Sequence, residues 1–112
     1  MPPEIKKLLS DALEACRTVD EFVAGKSVAD FLRDKLLRAG VYYEFAIIGE
    51  ALTQLRSLDA TVFTRISECT RIIGFRNQII HGYGKLDDEI TWRIIETKLP
   101  VLRKELETLL AS

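Results

Sequence analysis

Apolar residues recur at three-and-four spacing from the start of the chain. Ile5, Leu8, Leu9, Ala12, Leu13, Cys16, Val19 and Val23 fall on one stripe, the period of an amphipathic helix. Pro2 and Pro3 suit the start of that helix, and Gly25 suits a stop near residue 24. Ser27 and Asp30 have the spacing of an N-cap and its acidic partner, although Glu is the commoner partner, so a short helix is predicted from 28. It can run straight on through Leu32, Leu36 and Leu37, because Gly40 does not clearly break the pattern. Val41, Phe45, Ile48, Leu52, Leu55 and Leu58 again share one side, and residues 34 to 57 make the longest predicted helix. Asp59 is a cap for a helix starting at Thr61 or Thr64. That helix carries Ile66, Cys69, Ile73 and Ile80 and ends near His81-Gly82-Tyr83-Gly84, where two glycines relieve the backbone. Asp87, Asp88 and Glu89 put negative charge ahead of Ile90, Trp92, Ile94 and Ile95, as a helix start favours. Pro100 kinks or restarts this last helix, which Leu102, Leu106, Leu109 and Leu110 complete.

No stretch alternates cleanly between apolar and polar, and no repeat or linker interrupts the chain. The predicted fold is therefore all-α, an antiparallel bundle of four main helices with room for a short fifth. The 112 residues, 47% of them hydrophobic, fit one domain over 1–112 with a single core. Sixteen basic residues against 17 acidic ones give a formal net charge of -1, which does not suit a protein that coats duplex nucleic acid. The signs are uneven, however. Between Thr64 and Leu86 stand Arg65, Arg71, Arg76 and Lys85 with only Glu68 opposing them, enough to hold a small anion or a strand end. Cys16 and Cys69, far apart and without a Cys-x-x-Cys spacing, read as buried thiols in a reducing cytosol. No apolar run suits a membrane span, and the N-terminus lacks the apolar core of a signal peptide, so a cytoplasmic protein is expected.

One segment carries chemistry. The single histidine, His81, stands in Arg76-Asn77-Gln78-Ile79-Ile80-His81-Gly82-Tyr83, where polar side chains interrupt the apolar stripe. On a continuous helix Asn77 and His81 are four apart and share a face, so Asn77 could fix the imidazole tautomer. Arg76 and His81 are five apart, roughly 140° around the axis, and one helix alone splays them. A break at Gly82 or a partner subunit would bring them together. The set suits phosphodiester cleavage. An imidazole can take and return a proton near neutral pH, and an Arg fork can hold two phosphate oxygens. In RNA the 2′-hydroxyl is the nucleophile, so neither a metal nor a serine is required. Two protons must move, and two copies of His81 across a two-fold axis, or His81 with Tyr83, could move them. Against this stand plainer readings: a histidine capping a helix end, Arg76 paired with Glu50 or Glu68, and Tyr83 packed half-buried. Asn77 is harder to explain as structure, being a poor helix former among Ile and Phe. Glu50, in Ile47-Ile48-Gly49-Glu50-Ala51, is either an exposed acid or a partly buried one needing a cation. Gly49 would let a neighbouring helix come close, and Arg76 is the natural partner. One His and two distant Cys do not make a zinc site, and no phosphate-binding glycine loop is present. Tyr42, Tyr43, Phe45 and Trp92 read as core or interface rather than as base-stacking platforms.

The Arg76…His81-Gly82-Tyr83 run resembles the Arg-x4-His-x-Tyr signature of the HepT-like group in the HEPN superfamily, small helical proteins of prokaryotic toxin–antitoxin pairs. Ile47-Ile48-Gly49-Glu50-Ala51 is similar to that family's Ile-Gly-Glu-Ala stretch. Trp92 and the Leu99-Pro100-Val101-Leu102 turn extend the resemblance over roughly residues 5 to 108. Many members carry Pro-Trp shortly before the motif, where this chain has Val62-Phe63-Thr64-Arg65-Ile66. The resemblance implies a homodimer acting as a metal-independent endoribonuclease toxin on RNA, without a cofactor. Arg76 and His81 match the catalytic pair, Asn77 the polar residue beside the Arg, and Tyr83 the tyrosine of the motif. It also implies a minimal nucleotidyltransferase antitoxin that transfers AMP to that tyrosine, which would block the cleft and neutralise Arg76. The alternative is a noncatalytic helical subunit that binds a nucleotide or positions substrate for a separate nucleotidyltransferase.

Overall fold

A computed structural model describes residues 1–81 and 86–112. The described residues are all-helical, with no strand among them. Among the described residues seven helices occur: α1 (Pro3–Val23), α2 (Val28–Arg33), α3 (Lys35–Leu58), α4 (Ala60–Thr64), α5 (Cys69–His81), α6 (Asp88–Thr97) and α7 (Leu99–Ala111). The count exceeds four main helices and a short fifth because local capping cuts the chain more often than periodicity alone reveals.

Each cut has an identifiable cause. Ser27 and Asp30 form the reciprocal capping box, with the Ser27 amide donating to Asp30 Oδ2 at 2.9 Å and the Asp30 amide donating to Ser27 Oγ at 3.2 Å. Asp does what Glu usually does there. α2 does not run on into α3: the longest predicted helix over 34 to 57 starts at Lys35 after the cap Asp34, whose extended backbone lets its Oδ1 accept from the Leu37 amide at 3.0 Å. Arg38 then reaches back to the Phe31 and Leu32 carbonyls at 3.0 and 2.6 Å, occupying two acceptors left open where α2 ends. Gly40 leaves α3 unbroken. Asp59 caps α4 as expected, accepting from the Val62 amide at 3.0 Å, and the helix starts at Ala60, one residue before Thr61, and stops at Thr64 instead of running on into α5. Ile66 sits outside any helix, although it is buried. The turn that carries it is tied to α7 by the Ser67 amide and hydroxyl, both donating to Glu105. Asp87 caps α6, and Pro100 lies in the first turn of α7, so the proline restarts a helix rather than kinking one.

α3 is the central element. It packs along α1 and α5 and also meets α2 and α4, while α7 packs on α1 and α6. Leu9, Cys16 and Val19 of α1, Phe45, Ile48, Leu52 and Leu55 of α3, Ile72 of α5, and Leu99, Leu102 and Leu106 of α7 are essentially sealed from solvent. Burying each large side chain is worth about 1.5–3 kcal/mol against exposure. Both cysteines are buried free thiols, as the sequence suggested. A line of aromatic rings joins four helices on one side of α3. Trp92 lies 5.4 Å from Phe31, Phe31 6.5 Å from Tyr42, Tyr42 6.1 Å from Phe75, and Phe75 5.2 Å edge-on to Phe45. Phe75 thereby fixes the rotation of α5 and with it the direction of Arg76. Among the described residues no helix is long and apolar enough to cross a membrane.

Candidate functional site

Arg76 lies on α5 where that helix crosses α3 at Gly49. The crossing is so close that a methyl group at Gly49 would overlap the Cβ and Cγ of Arg76 and sit 3.3 Å from its Cδ. The stem of the arginine therefore lies flat on the α3 backbone. Its head is held at two points. Nη2 donates to Oε2 of Glu50 in an ion pair, and Nη1 donates to Oδ1 of Asn77 at 3.0 Å. Glu50 is in turn braced by Gln54, whose Nε2 donates to Oε1 at 3.1 Å. The Arg76 side chain is 22% exposed and that of Glu50 49%, so the arginine is the more enclosed partner. Its Nε is buried and has no hydrogen-bond partner among the described residues. Of the two acids the sequence offered, Glu50 takes Arg76. Glu68 instead faces Arg71 at 3.6 Å and Lys98 at 3.7 Å.

His81 is the last residue of α5 and is exposed. The helix is continuous from Arg76 to His81, so the two side chains leave it roughly 140° apart, as the spacing implied. The turn from Arg76 leads to Ile80, which shares its face, and His81 follows one step of roughly 100° further round. The carboxamide oxygen of Asn77, the residue expected to fix the imidazole tautomer, accepts from Arg76. Tyr83, with Gly82, Gly84 and Lys85, lies outside the described residues.

Arg76 and Ile80 form one wall of an open groove of about 620 Å³ between α1, α3 and α5. Ile47, Glu50 and Tyr43 of α3 line its floor, and Leu8 of α1 its far side. The groove is mainly apolar and carries solvent-exposed Tyr43, Leu58 and Ile80 at 66, 57 and 50%. Lys7 and Asp11, paired at 2.8 Å on α1, stand at its rim. Tyr43 is therefore not a core residue, whereas Phe45 and Trp92 are.

Sequence reasoning passed over two features. Gln54, four residues after Glu50, was not singled out, although that spacing is what lets it brace the acid. Asp88 was read only as favourable charge at a helix start. It also accepts a hydrogen bond from the hydroxyl of Tyr42, which lies 3.0 Å from Thr91 Oγ1, and it faces Arg38 Nε at 3.5 Å. A tyrosine on an apolar stripe needs a partner for its hydroxyl, and that was the available signal. Burial and the nearby Asp88 carboxylate hold the Tyr42 hydroxyl well above its ordinary pKa. Among the described residues no group of three or more potential metal ligands gathers.

The model of the family described as "Ribonuclease HepT-like" matches residues 12–109. "Putative RNase MJ1380" of Methanocaldococcus jannaschii is 30% identical over 104 residues, covering 93% of this chain and 94% of that protein. "Putative RNase TTE0752" of Caldanaerobacter subterraneus subsp. tengcongensis is 29% identical over 102 residues, 91% of this chain and 90% of its own length. "Probable ribonuclease HepT" of Thermococcus cleftensis is 29% identical over 106 residues, 93% and 94% of the two chains. No solved structure gives a significant match.

Proposed function

The chain belongs to the ribonuclease HepT-like family, and from that premise we propose that it is a metal-independent endoribonuclease, the toxin of a toxin–antitoxin pair. The observation that carries the reading is the fixed guanidinium of Arg76 at the groove edge, on the same helix as the exposed His81. The long helices are taken as an antiparallel bundle.

Cleavage begins with the RNA's own 2′-oxygen. His81 accepts the 2′-hydroxyl proton as that oxygen attacks phosphorus, the bond to the 5′-oxygen breaks, and a second acid protonates the leaving oxygen. The products are a 2′,3′-cyclic phosphate and a free 5′-hydroxyl. Arg76 stabilises the charge that builds on the phosphoryl oxygens, using the N–H groups that Glu50 and Asn77 leave open. Since α5 splays Arg76 and His81, the second acid and the completed cleft are assigned to a second copy of the chain, with Tyr83 as the other candidate acid. The apolar groove beside Arg76 supports a homodimer, because apolar surface of this kind marks interaction sites. The cognate partner is a minimal nucleotidyltransferase that adds AMP to Tyr83, and both proteins act in the cytoplasm.

The test is cleavage of a mixed-sequence oligoribonucleotide in the presence of a chelator by wild type and by His81→Ala. Wild type should cut, and the variant should lose at least a hundredfold in rate while remaining folded and dimeric. Undiminished cutting by a folded His81→Ala would refute the mechanism. Nucleotide binding by wild type without any cleavage would replace it with the noncatalytic-subunit reading.

A further inference from the structure

Arg76 carries more restraint than stability requires. An Arg–Glu pair whose carboxylate is half-exposed contributes little to folding, about 0–1 kcal/mol, yet this one is assembled from several parts. Gly49 leaves room for the stem of the arginine on the α3 backbone. The next residue, Glu50, grips one end of the guanidinium, and Gln54 on the following turn holds the carboxylate in place. Asn77 engages the other Nη. An unrestrained arginine has about 2 kcal/mol of rotamer entropy to lose on meeting a ligand. The carboxylate has a second effect, since it repels an arriving phosphate. A carboxylate whose role was simply to raise phosphate affinity would not be placed there.

We infer that Glu50 is a positioning residue for Arg76. Its carboxylate, braced by Gln54, sets the guanidinium in the pose that meets the phosphorane, and the site accepts weaker ground-state binding of RNA in exchange for that geometry. This rests on the reading of Arg76 as the phosphate-stabilising group. It assigns Glu50 to turnover rather than to affinity.

Two variants separate reach from charge. Glu50→Asp keeps the charge but withdraws the carboxylate by one methylene, and Glu50→Gln keeps the reach and an accepting oxygen but removes the charge. Steady-state cleavage of a fluorophore–quencher oligoribonucleotide by the full chain should show kcat down about tenfold for Glu50→Asp with KM not raised. Glu50→Gln should keep kcat within about threefold of wild type with KM equal or lower. Arg76→Ala is the reference and should lose at least a hundredfold. Thermal unfolding of both Glu50 variants should match wild type within a few degrees, since little stability is at stake. Wild-type kcat in Glu50→Asp beside an inactive Arg76→Ala would overturn the inference and leave the function standing. A loss of tenfold or more in kcat for Glu50→Gln would also overturn it, since that variant keeps the reach and lacks only the charge. Full activity in Arg76→Ala would instead remove the underlying reading.

Discussion

The side chain of Arg76 rests directly on the backbone of Gly49, where a Cβ would overlap the Arg76 Cβ and force something to shift. Gly49→Ala sets a new Cβ against atoms close to the α5 backbone, which cannot swing away as a flexible side-chain tip can. The two helices must separate, at a net cost of about 1–3 kcal/mol. Gly74, also on α5, has nothing within 4 Å of where a Cβ would lie. Gly74→Ala should therefore stabilise by about 0.5–1 kcal/mol, the usual gain for removing a mid-helix glycine. Thermal unfolding of the two variants should shift in opposite directions; a shared direction would contradict the close crossing.

Tyr42→Phe deletes the hydroxyl that joins α3 to Asp88 and Thr91 of α6. Thr91 is fully buried, although its hydroxyl keeps a bond to the Asp87 carbonyl at 3.1 Å. The expected loss is about 1–3 kcal/mol, within the range for leaving buried polar groups short of a partner. Chemical denaturation with an unchanged m-value would confirm that only the native contact was lost.

Alkaline titration should reveal the thiols. Burial raises Cys16 from an ordinary 9.0 to about 12, and Cys69 likewise. The native state holds these protons more tightly than the unfolded chain does. Their contribution to stability is complete below about pH 9 and is lost as the pH rises toward about 12. The slope should approach about 1 kcal/mol per pH unit for each thiol. Cys16→Ala should make the decline between pH 9 and 11 shallower, and an unchanged decline would argue against a buried thiol.

Self-association should depend on the groove face. Ile80→Glu places a charge on an exposed apolar residue beside Arg76. Sedimentation should show a dimer for wild type and a monomer for the variant, with thermal stability of the separated chain little changed, because Ile80 is half-exposed. The same variant should lose RNA cleavage, since each site is taken to need the second copy. A dimeric Ile80→Glu would move the interface elsewhere.

How much of this was legible in the sequence varies residue by residue. The Ser27–Asp30 box, the cap at Asp59 and the restart at Pro100 each depend on neighbours within a few positions, and local spacing revealed them. The start of α3 beside Asp34 agrees with the longest predicted helix over 34 to 57, although the apolar pattern continues across it and left a run-on from α2 open. Arg76 was offered two acids, and only packing chose Glu50, 26 positions away, over Glu68. Tyr42, Tyr43, Phe45 and Trp92 share one reading as core or interface, and only packing separates Tyr43, which lines the groove, from buried Phe45 and Trp92.

By itself the sequence determined that the described residues are helical, roughly where the helices start and stop, and that Arg76, Asn77 and His81 fall on one helix. These are consequences of periodicity and capping, which act over one or two turns. The sequence offered a close approach at Gly49 and Arg76 as a partner for Glu50 among other options; the tertiary structure decided that α5 makes that crossing, that Glu50 rather than Glu68 holds the guanidinium, and that Tyr42 reaches Asp88 over 46 positions. Those pairings depend on how far each helix is rotated about its own axis when the core closes. That rotation is set by the fit of Phe45, Phe75 and their neighbours in three dimensions, and no local pattern records it.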